Sequence, residues 1–133
     1  MSSAAIRVLL LEDDPHYAEL AQRYLQAAAR GGASIECVGT LAGALERIAR
    51  GSFDLVVADL DLPDSRGAAT VEALAASGHH LVIVLTGNRE PALRERVMRA
   101  GAYDFLAKDR LDDAALERAV WLAAGEGSGP ARR

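Results

Sequence analysis

Apolar residues in this chain recur in two alternating patterns. Short, nearly unbroken apolar runs appear at Ile6–Leu11 (IRVLLL), Ser34–Val38 (SIECV), Asp54–Ala58 (DLVVA), Leu81–Leu85 (LVIVL) and, more weakly, Tyr103–Ala107. Runs of this length without strict alternation fit strands buried on both faces of a sheet. Between them the spacing turns helical. Tyr17, Leu20, Ala21, Tyr24, Leu25 and Ala28 form one stripe, and Leu41, Ala44, Leu45 and Ile48 a second. Val71, Leu74 and Ala75 mark a short third helix, Leu93, Val97 and Ala100 a fourth, and Ala115, Leu116, Ala119, Val120 and Ala123 a fifth. The punctuation agrees with this reading: Asp14-Pro15 and Thr40 sit where helix caps belong, Pro91 opens a helix, and Gly31-Gly32, Gly51 and Gly101 close helices.

Strand and helix alternate five times, each unit close to the shortest length that permits a crossover. This predicts an α/β fold, a five-stranded parallel sheet doubly wound with helices on both faces. Periodicity does not order the strands. Open sheets of this kind bind ligands beyond the carboxyl ends of their strands. The first strand runs into Glu12-Asp13-Asp14, the third into Asp59-Leu60-Asp61, the fourth into Thr86-Gly87 and the fifth into Lys108-Asp109, while the second ends blandly at Gly39.

Composition narrows the chemistry. The 133 residues suit one domain, with 50% hydrophobic and 26% charged side chains. A net charge of -4 gives no general attraction to nucleic acid or to anionic membrane. The single cysteine, Cys37, excludes an intrachain disulfide and reads as a small buried apolar residue, and His79-His80 reads as a solvent-facing loop pair. No apolar run approaches the roughly 20 residues of a membrane span, and a cytoplasmic location is expected. Lys108 is the only lysine among 15 basic side chains. An ammonium is a compact, mobile point charge and arginine is a planar fork, so the exception carries information. Two carboxylate clusters at one sheet edge repel unless a cation relieves them, and oxygen ligands with no histidine or cysteine nearby favour a hard divalent ion, Mg²⁺ above Ca²⁺. A carboxylate beside such an ion, a threonine hydroxyl and an ammonium make a set suited to a phosphoryl group.

These residues resemble the receiver domain of bacterial two-component response regulators, and the resemblance covers residues 6–124. It rests on Glu12-Asp13 after the first strand, on Asp59-Leu-Asp-Leu-Pro-Asp-Ser-Arg-Gly67, on Thr86 after an apolar strand and on Lys108. The resemblance implies a flavodoxin-like (βα)5 sandwich with strand order 2-1-3-4-5. It implies that Asp59 accepts a phosphoryl group from the phosphohistidine of a sensor histidine kinase or phosphotransfer protein. Mg²⁺ would be held by Asp13, Asp59 and the backbone carbonyl of Asp61, with Glu12 acting through water. Thr86 and Lys108 would contact the phosphoryl oxygens, and Phe105 would be the switching aromatic. The output would be an altered face of the fourth helix, fifth strand and fifth helix, offered to a downstream target, an output domain or a second copy in a homodimer. Residues 1–5 and 125–133 read as flexible ends, the latter as a tail or linker remnant.

Two departures from the family stand out: Asp109 replaces the proline that commonly follows the lysine through a cis bond, and Gly87 follows Thr86. A cis bond before a non-proline residue costs about 2.5–4 kcal/mol, so a trans bond is expected after Lys108. Asp14 is expected to cap the first helix, Asp64 to form a turn, and the side chain of Asp61 to be a solvated loop acid. Arg89, Arg94, Arg96 and Arg99 read as a solvated or partner-contacting face. Two other functions remain in view. A haloacid-dehalogenase-type phosphatase shares the Asp59-Leu-Asp61 pattern but leaves Glu12-Asp13 unexplained and would need an acid placed elsewhere than Asp112-Asp113. A phosphorylation-independent interaction module on the same fold would account for Asp109. An autonomous metabolic enzyme is not expected.

Overall fold

The computed structural model describes residues 5–111 and 114–125; the expected flexible residues 1–4 and 126–133, and Asp112-Asp113, lie outside the described residues. Among the described residues seven strands and five helices follow in order. They are β1 (Ile6–Leu11), α1 (Pro15–Ala28), β2 (Ala33–Val38), α2 (Leu41–Arg50), β3 (Leu55–Asp59), β4 (Asp61–Leu62), β5 (Ser65–Arg66), α3 (Ala68–Ala76), β6 (Leu81–Thr86), α4 (Pro91–Ala100), β7 (Asp104–Ala107) and α5 (Ala114–Ala123). The main sheet has the order β2-β1-β3-β6-β7 and every pairing in it is parallel. Since β6 and β7 are the fourth and fifth long strands, this is the doubly wound 2-1-3-4-5 arrangement expected above.

Side chains alternate across the sheet and build two cores. Val8 and Leu10 of β1, Leu55 and Val57 of β3, and Ile83 and Leu85 of β6 face α1 and α5. Leu9, Leu11, Val56, Ala58, Val82 and Val84 face α2, α3 and α4. The central strands read as continuous apolar runs because both faces are covered. Burying one such leucine or valine contributes about 1.5–3 kcal/mol, so truncation anywhere along β1 or β3 weakens the platform that carries the site.

Several expectations shift in detail. Leu20 and Tyr24, assigned to the buried stripe of α1, are exposed, and the inward face is Ala18, Ala21 and Leu25. The buried stripe is rotated toward Ala18, with Tyr17 and Ala28 packed at its margin, which leaves Leu20 and Tyr24 on the outer side. Cys37 is exposed, because β2 is an edge strand covered less completely than the centre. His79 is exposed, but His80 is half-buried and its Nε2 lies 2.8 Å from the Leu74 carbonyl at the end of α3. The third strand starts one residue later than its apolar run, where the Asp54 carboxylate accepts from the Arg7 N–H at 2.8 Å, and it ends on Asp59. The loop containing Pro63 folds into a two-stranded antiparallel ribbon too short for any periodicity to reveal.

Asp64 does more than turn the chain. Its carboxylate accepts from the N–H groups of Leu41 (2.8 Å) and Ala42 (3.0 Å), while Thr40 Oγ1 accepts from Gly43 (3.0 Å) and the Thr40 carbonyl from Ala44 (3.2 Å). All four N–H groups that open α2 are thus satisfied, and the segment following Asp59 is tied to that helix. The hydrogen bonds from Ala42 and Leu41 hold the Asp64 carboxyl below its ordinary value of 3.8. A folded-state value below the unfolded one stabilises the fold at every pH above the unfolded value and ceases to do so as the pH falls through the folded one. Asp64→Ala should therefore lower Tm at neutral pH, and the gap to the parent should narrow only as the pH falls below the ordinary carboxyl value of 3.8 and close in stronger acid. Thermal melts at stepped pH check this; a gap that persists in strong acid would show another origin.

Candidate functional site

The site forms where four strands stop. The Glu12 N–H donates to the Val38 carbonyl at 2.9 Å, which prolongs the β1–β2 ladder by one residue and leaves the Glu12 side chain at the sheet's edge, only 5% exposed. Asp59, the last residue of β3, is 6% exposed. Asp13 is exposed beside them, and carboxylate oxygens of Glu12, Asp13 and Asp59 lie within 4.8 Å of one another. Lys108 reaches in from the end of β7: its Nζ lies 2.9 Å from Glu12 Oε1 and 3.1 Å from Asp59 Oδ2. The remaining oxygens accept backbone donors, Glu12 Oε2 from Asp14 N–H (3.1 Å) and Asp59 Oδ1 from Asp61 N–H (3.2 Å).

One ammonium serves a cluster of three carboxylates and touches two of them, Glu12 and Asp59, and these contacts act against the effect of burial. Burial pushes the Glu12 carboxyl above its ordinary value, and the charge of Asp59 adds to this; hydrogen bonds from Lys108 and the Asp14 N–H oppose it without overcoming it. Burial works against the charge on Lys108, but hydrogen bonds to Glu12 and Asp59 outweigh it and hold the amine above its usual value. Lys108 therefore stays an ammonium, and uncompensated negative charge remains among the acids. All three donor groups are oxygen, as a hard divalent cation requires.

Thr86 ends β6 and is 5% exposed. Its Oγ1 accepts from the Asn88 N–H at 3.0 Å, which leaves the hydroxyl hydrogen free to donate, and its carbonyl accepts from the Lys108 N–H at 3.0 Å. Gly87 has open space around it: an added Cβ would meet nothing within 4 Å. Lys108 is also held from α1. The Tyr17 hydroxyl donates to the Lys108 carbonyl at 2.8 Å, and Nζ sits 4.4 Å from the Tyr17 ring centroid. Burial, and then the charges of Glu12, Asp59 and Asp109, push the Tyr17 phenol upward, so it remains a protonated donor.

The other expected residues lie around this centre. Asp14 caps α1, its carboxylate accepting from His16 N–H at 3.0 Å. The side chain of Asp61 is exposed and turns to Arg66 across the β4–β5 ribbon at 3.5 Å. Phe105 of β7 is 8% exposed and packs in the core on the α4 side, where the Arg94 guanidinium lies over its ring at 5.8 Å and donates to its carbonyl at 3.4 Å. Asp109 forms an ion pair with Arg89, one guanidinium nitrogen meeting both carboxylate oxygens, which joins the β6–α4 and β7–α5 loops, and no cis peptide occurs among the described residues. Sequence reasoning missed the contacts of Tyr17, Arg89, Arg94 and Asp64, which join residues distant in the chain and leave no local spacing to detect.

A doubly wound parallel sheet with an acidic cluster, a threonine and a lysine at its carboxyl edge defines a receiver-type signalling domain. Residues 8–120 match the family model of the response regulator receiver domain, and the chain belongs to that family. It is 34% identical over 104 residues to the swarming motility regulation protein RssB of Serratia marcescens, covering 77% of this chain and 46% of that protein. It is 33% identical over 115 residues to the C4-dicarboxylate transport transcriptional regulatory protein DctD of Pseudomonas aeruginosa, covering 86% of this chain and 24% of that protein. The chain thus spans less than half the length of these curated relatives. Among solved structures, the receiver domain of the sensor histidine kinase PA1611 of Pseudomonas aeruginosa, which holds a magnesium ion in its active-site cleft, superposes with a TM-score of 0.75 at 26% identity over 92% of this chain and 99% of that one. The signal receiver domain of an HD domain-containing protein of Pseudomonas fluorescens shares the fold with a TM-score of 0.82 at 21% identity, covering 100% of this chain and 96% of that one. No described helix is long and apolar enough to cross a membrane.

Proposed function

We propose that this domain is a Mg²⁺-dependent, phosphorylation-driven switch in which Asp59 is the phosphoacceptor. One arrangement supports this reading above all: the buried Asp59 carboxylate shares the Lys108 ammonium with Glu12, and oxygens of Glu12, Asp13 and Asp59 converge within 4.8 Å. The donor set fits Mg²⁺, which Asp13, Asp59 and the Asp61 carbonyl would hold, with Glu12 acting through water. When bound, the ion supplies positive charge to phosphoryl oxygens and offsets repulsion with the attacking carboxylate. An Asp59 oxygen attacks the phosphorus of a kinase or phosphotransfer phosphohistidine; the P–N bond breaks, the imidazole leaves, and an acyl phosphate forms. Lys108 moves its hydrogen bond from carboxylate to phosphoryl oxygen, and the Thr86 hydroxyl donates to a second.

The switch follows from differential contacts. An acyl phosphate adds negative charge and acceptor oxygens where Asp59 had two partners. Drawing Thr86 toward it opens space beside β7, and Phe105 can follow. The face formed by α4, β7 and α5 then changes and is offered to a downstream target, an output domain or a second copy. A cytoplasmic setting beside a histidine kinase suits this role. Phosphoryl uptake and loss are the chemistry the domain carries out on itself.

Incubation with acetyl phosphate and Mg²⁺ should add one phosphoryl mass per chain, labile to hydroxylamine as an acyl phosphate is, with no repeated turnover of a generic aryl phosphate. Sustained turnover would point to a phosphatase. Absence of any mass gain with Mg²⁺ present would favour a phosphorylation-independent module.

A further inference from the structure

We infer that Tyr17 is a positioning residue for Lys108, setting where its ammonium stands when a phosphoryl group arrives at Asp59. This rests on the proposed phosphoryl transfer and adds to it a residue on α1. A lysine side chain has four rotatable bonds, and its head is useful only when held. The carboxylates hold Nζ in the resting protein, yet they cannot be its only guides, since the ammonium must let go of Asp59 Oδ2 to meet phosphoryl oxygen. Tyr17 supplies contacts that persist through that exchange. Its ring presents a π face 4.4 Å from Nζ, and its hydroxyl pins the Lys108 carbonyl at 2.8 Å. The Lys108 N–H is pinned in turn by the Thr86 carbonyl at 3.0 Å. The backbone on both sides of the side chain is therefore anchored, one point to α1 and the other to the strand that carries Thr86. Tyr17 also packs against the core between the sheet, α1 and α5, so its ring is itself held in place. A cation over an aromatic face is attracted without a competing negative charge, which guides the ammonium and leaves it free to neutralise the phosphoryl group.

Lys108 is the only lysine in the chain, which makes the test direct. With [¹³C]lysine labelling, the side-chain methylene signals of Lys108 stand alone in an NMR spectrum and should be shifted upfield by the Tyr17 ring. Tyr17→Leu should abolish that shift, and Tyr17→Phe, which deletes only the hydroxyl, should retain most of it. With acetyl phosphate and Mg²⁺, Tyr17→Leu should take up phosphate roughly 3–10-fold more slowly, the span of a partly desolvated cation–π contact, and Tyr17→Phe should fall between it and the parent. Mg²⁺ affinity by calorimetry should stay within about twofold of the parent in both variants, because neither touches the carboxylates. A parent without the upfield shift, or a Tyr17→Leu variant phosphorylated at the parental rate, would overturn the positioning role. A parent that shows the shift but gains no phosphate would refute the phosphoryl-transfer reading itself, a separately visible outcome.

Discussion

Asp59→Asn should leave the protein folded and abolish phosphoryl uptake, with no phosphate-sized mass gain under conditions that modify the parent fully. An amide oxygen is a far poorer nucleophile than a carboxylate, although it can still accept from the Lys108 ammonium where Asp59 Oδ2 now does at 3.1 Å. The loss should exceed about 10³-fold, since the reacting group itself is removed. Stability should move the other way. Asp59 is one of the charges that push Glu12 upward, and Lys108 keeps its 2.9 Å contact with Glu12. The variant should therefore unfold in Mg²⁺-free urea at a midpoint no lower than the parent's. A mass gain equal to the parent's would remove Asp59 from its assigned role, whatever the unfolding data show.

Lys108→Met should have the largest effect on stability, and that effect should depend on Mg²⁺. Methionine preserves the length of the side chain and removes its charge, leaving Glu12 and Asp59, 5% and 6% exposed, without a protein cation. Breaking a buried ion pair by deleting one partner costs about 3–5 kcal/mol; with the Lys108 side chain 27% exposed, about 2–4 kcal/mol is expected. With the competing ammonium gone, the carboxylates should bind Mg²⁺ more tightly than in the parent, and each tenfold gain in affinity returns about 1.4 kcal/mol at saturating ion, so the deficit seen in metal-free buffer should narrow when the ion is added. Phosphoryl uptake should still fall roughly 10–100-fold, because the charge that meets the phosphoryl oxygens is gone. Urea unfolding with and without Mg²⁺ separates the two effects. Equal midpoints for parent and variant in metal-free buffer would show that the ammonium does not compensate the acids.

Much of this architecture is legible in local chemistry. The runs IRVLLL and LVIVL are apolar throughout because both faces of β1 and β6 are covered, and their limits in the fold match the runs to within a residue. Asp14 and Thr40 cap α1 and α2 because an oxygen on a short side chain satisfies the first free N–H groups wherever a helix begins. The acids, the threonine and the lysine are legible for another reason. They follow the strands directly, and a parallel sheet delivers every such position to one edge.

What was not legible depends on how elements turn against one another. The periodicity of α1 accommodates Leu20 and Tyr24 as readily as Ala18, and only packing beside α5 chooses the alanine face. Cys37 looks interior until β2 is known to be an edge strand. Asp64 has no partner near it in the chain and finds Leu41 and Ala42 only when the segment after β3 folds over the start of α2.

The long strands, the helices and the chemical groups that stand at the strand ends are encoded locally, because they follow from side-chain period and backbone capping within a few residues. Which of those groups touch is set by how the elements pack. That packing set Lys108 between Glu12 and Asp59, laid Tyr17 beneath the ammonium, and joined Arg89 to Asp109, since each contact depends on strand order and on the distance between neighbouring elements, which no local pattern encodes.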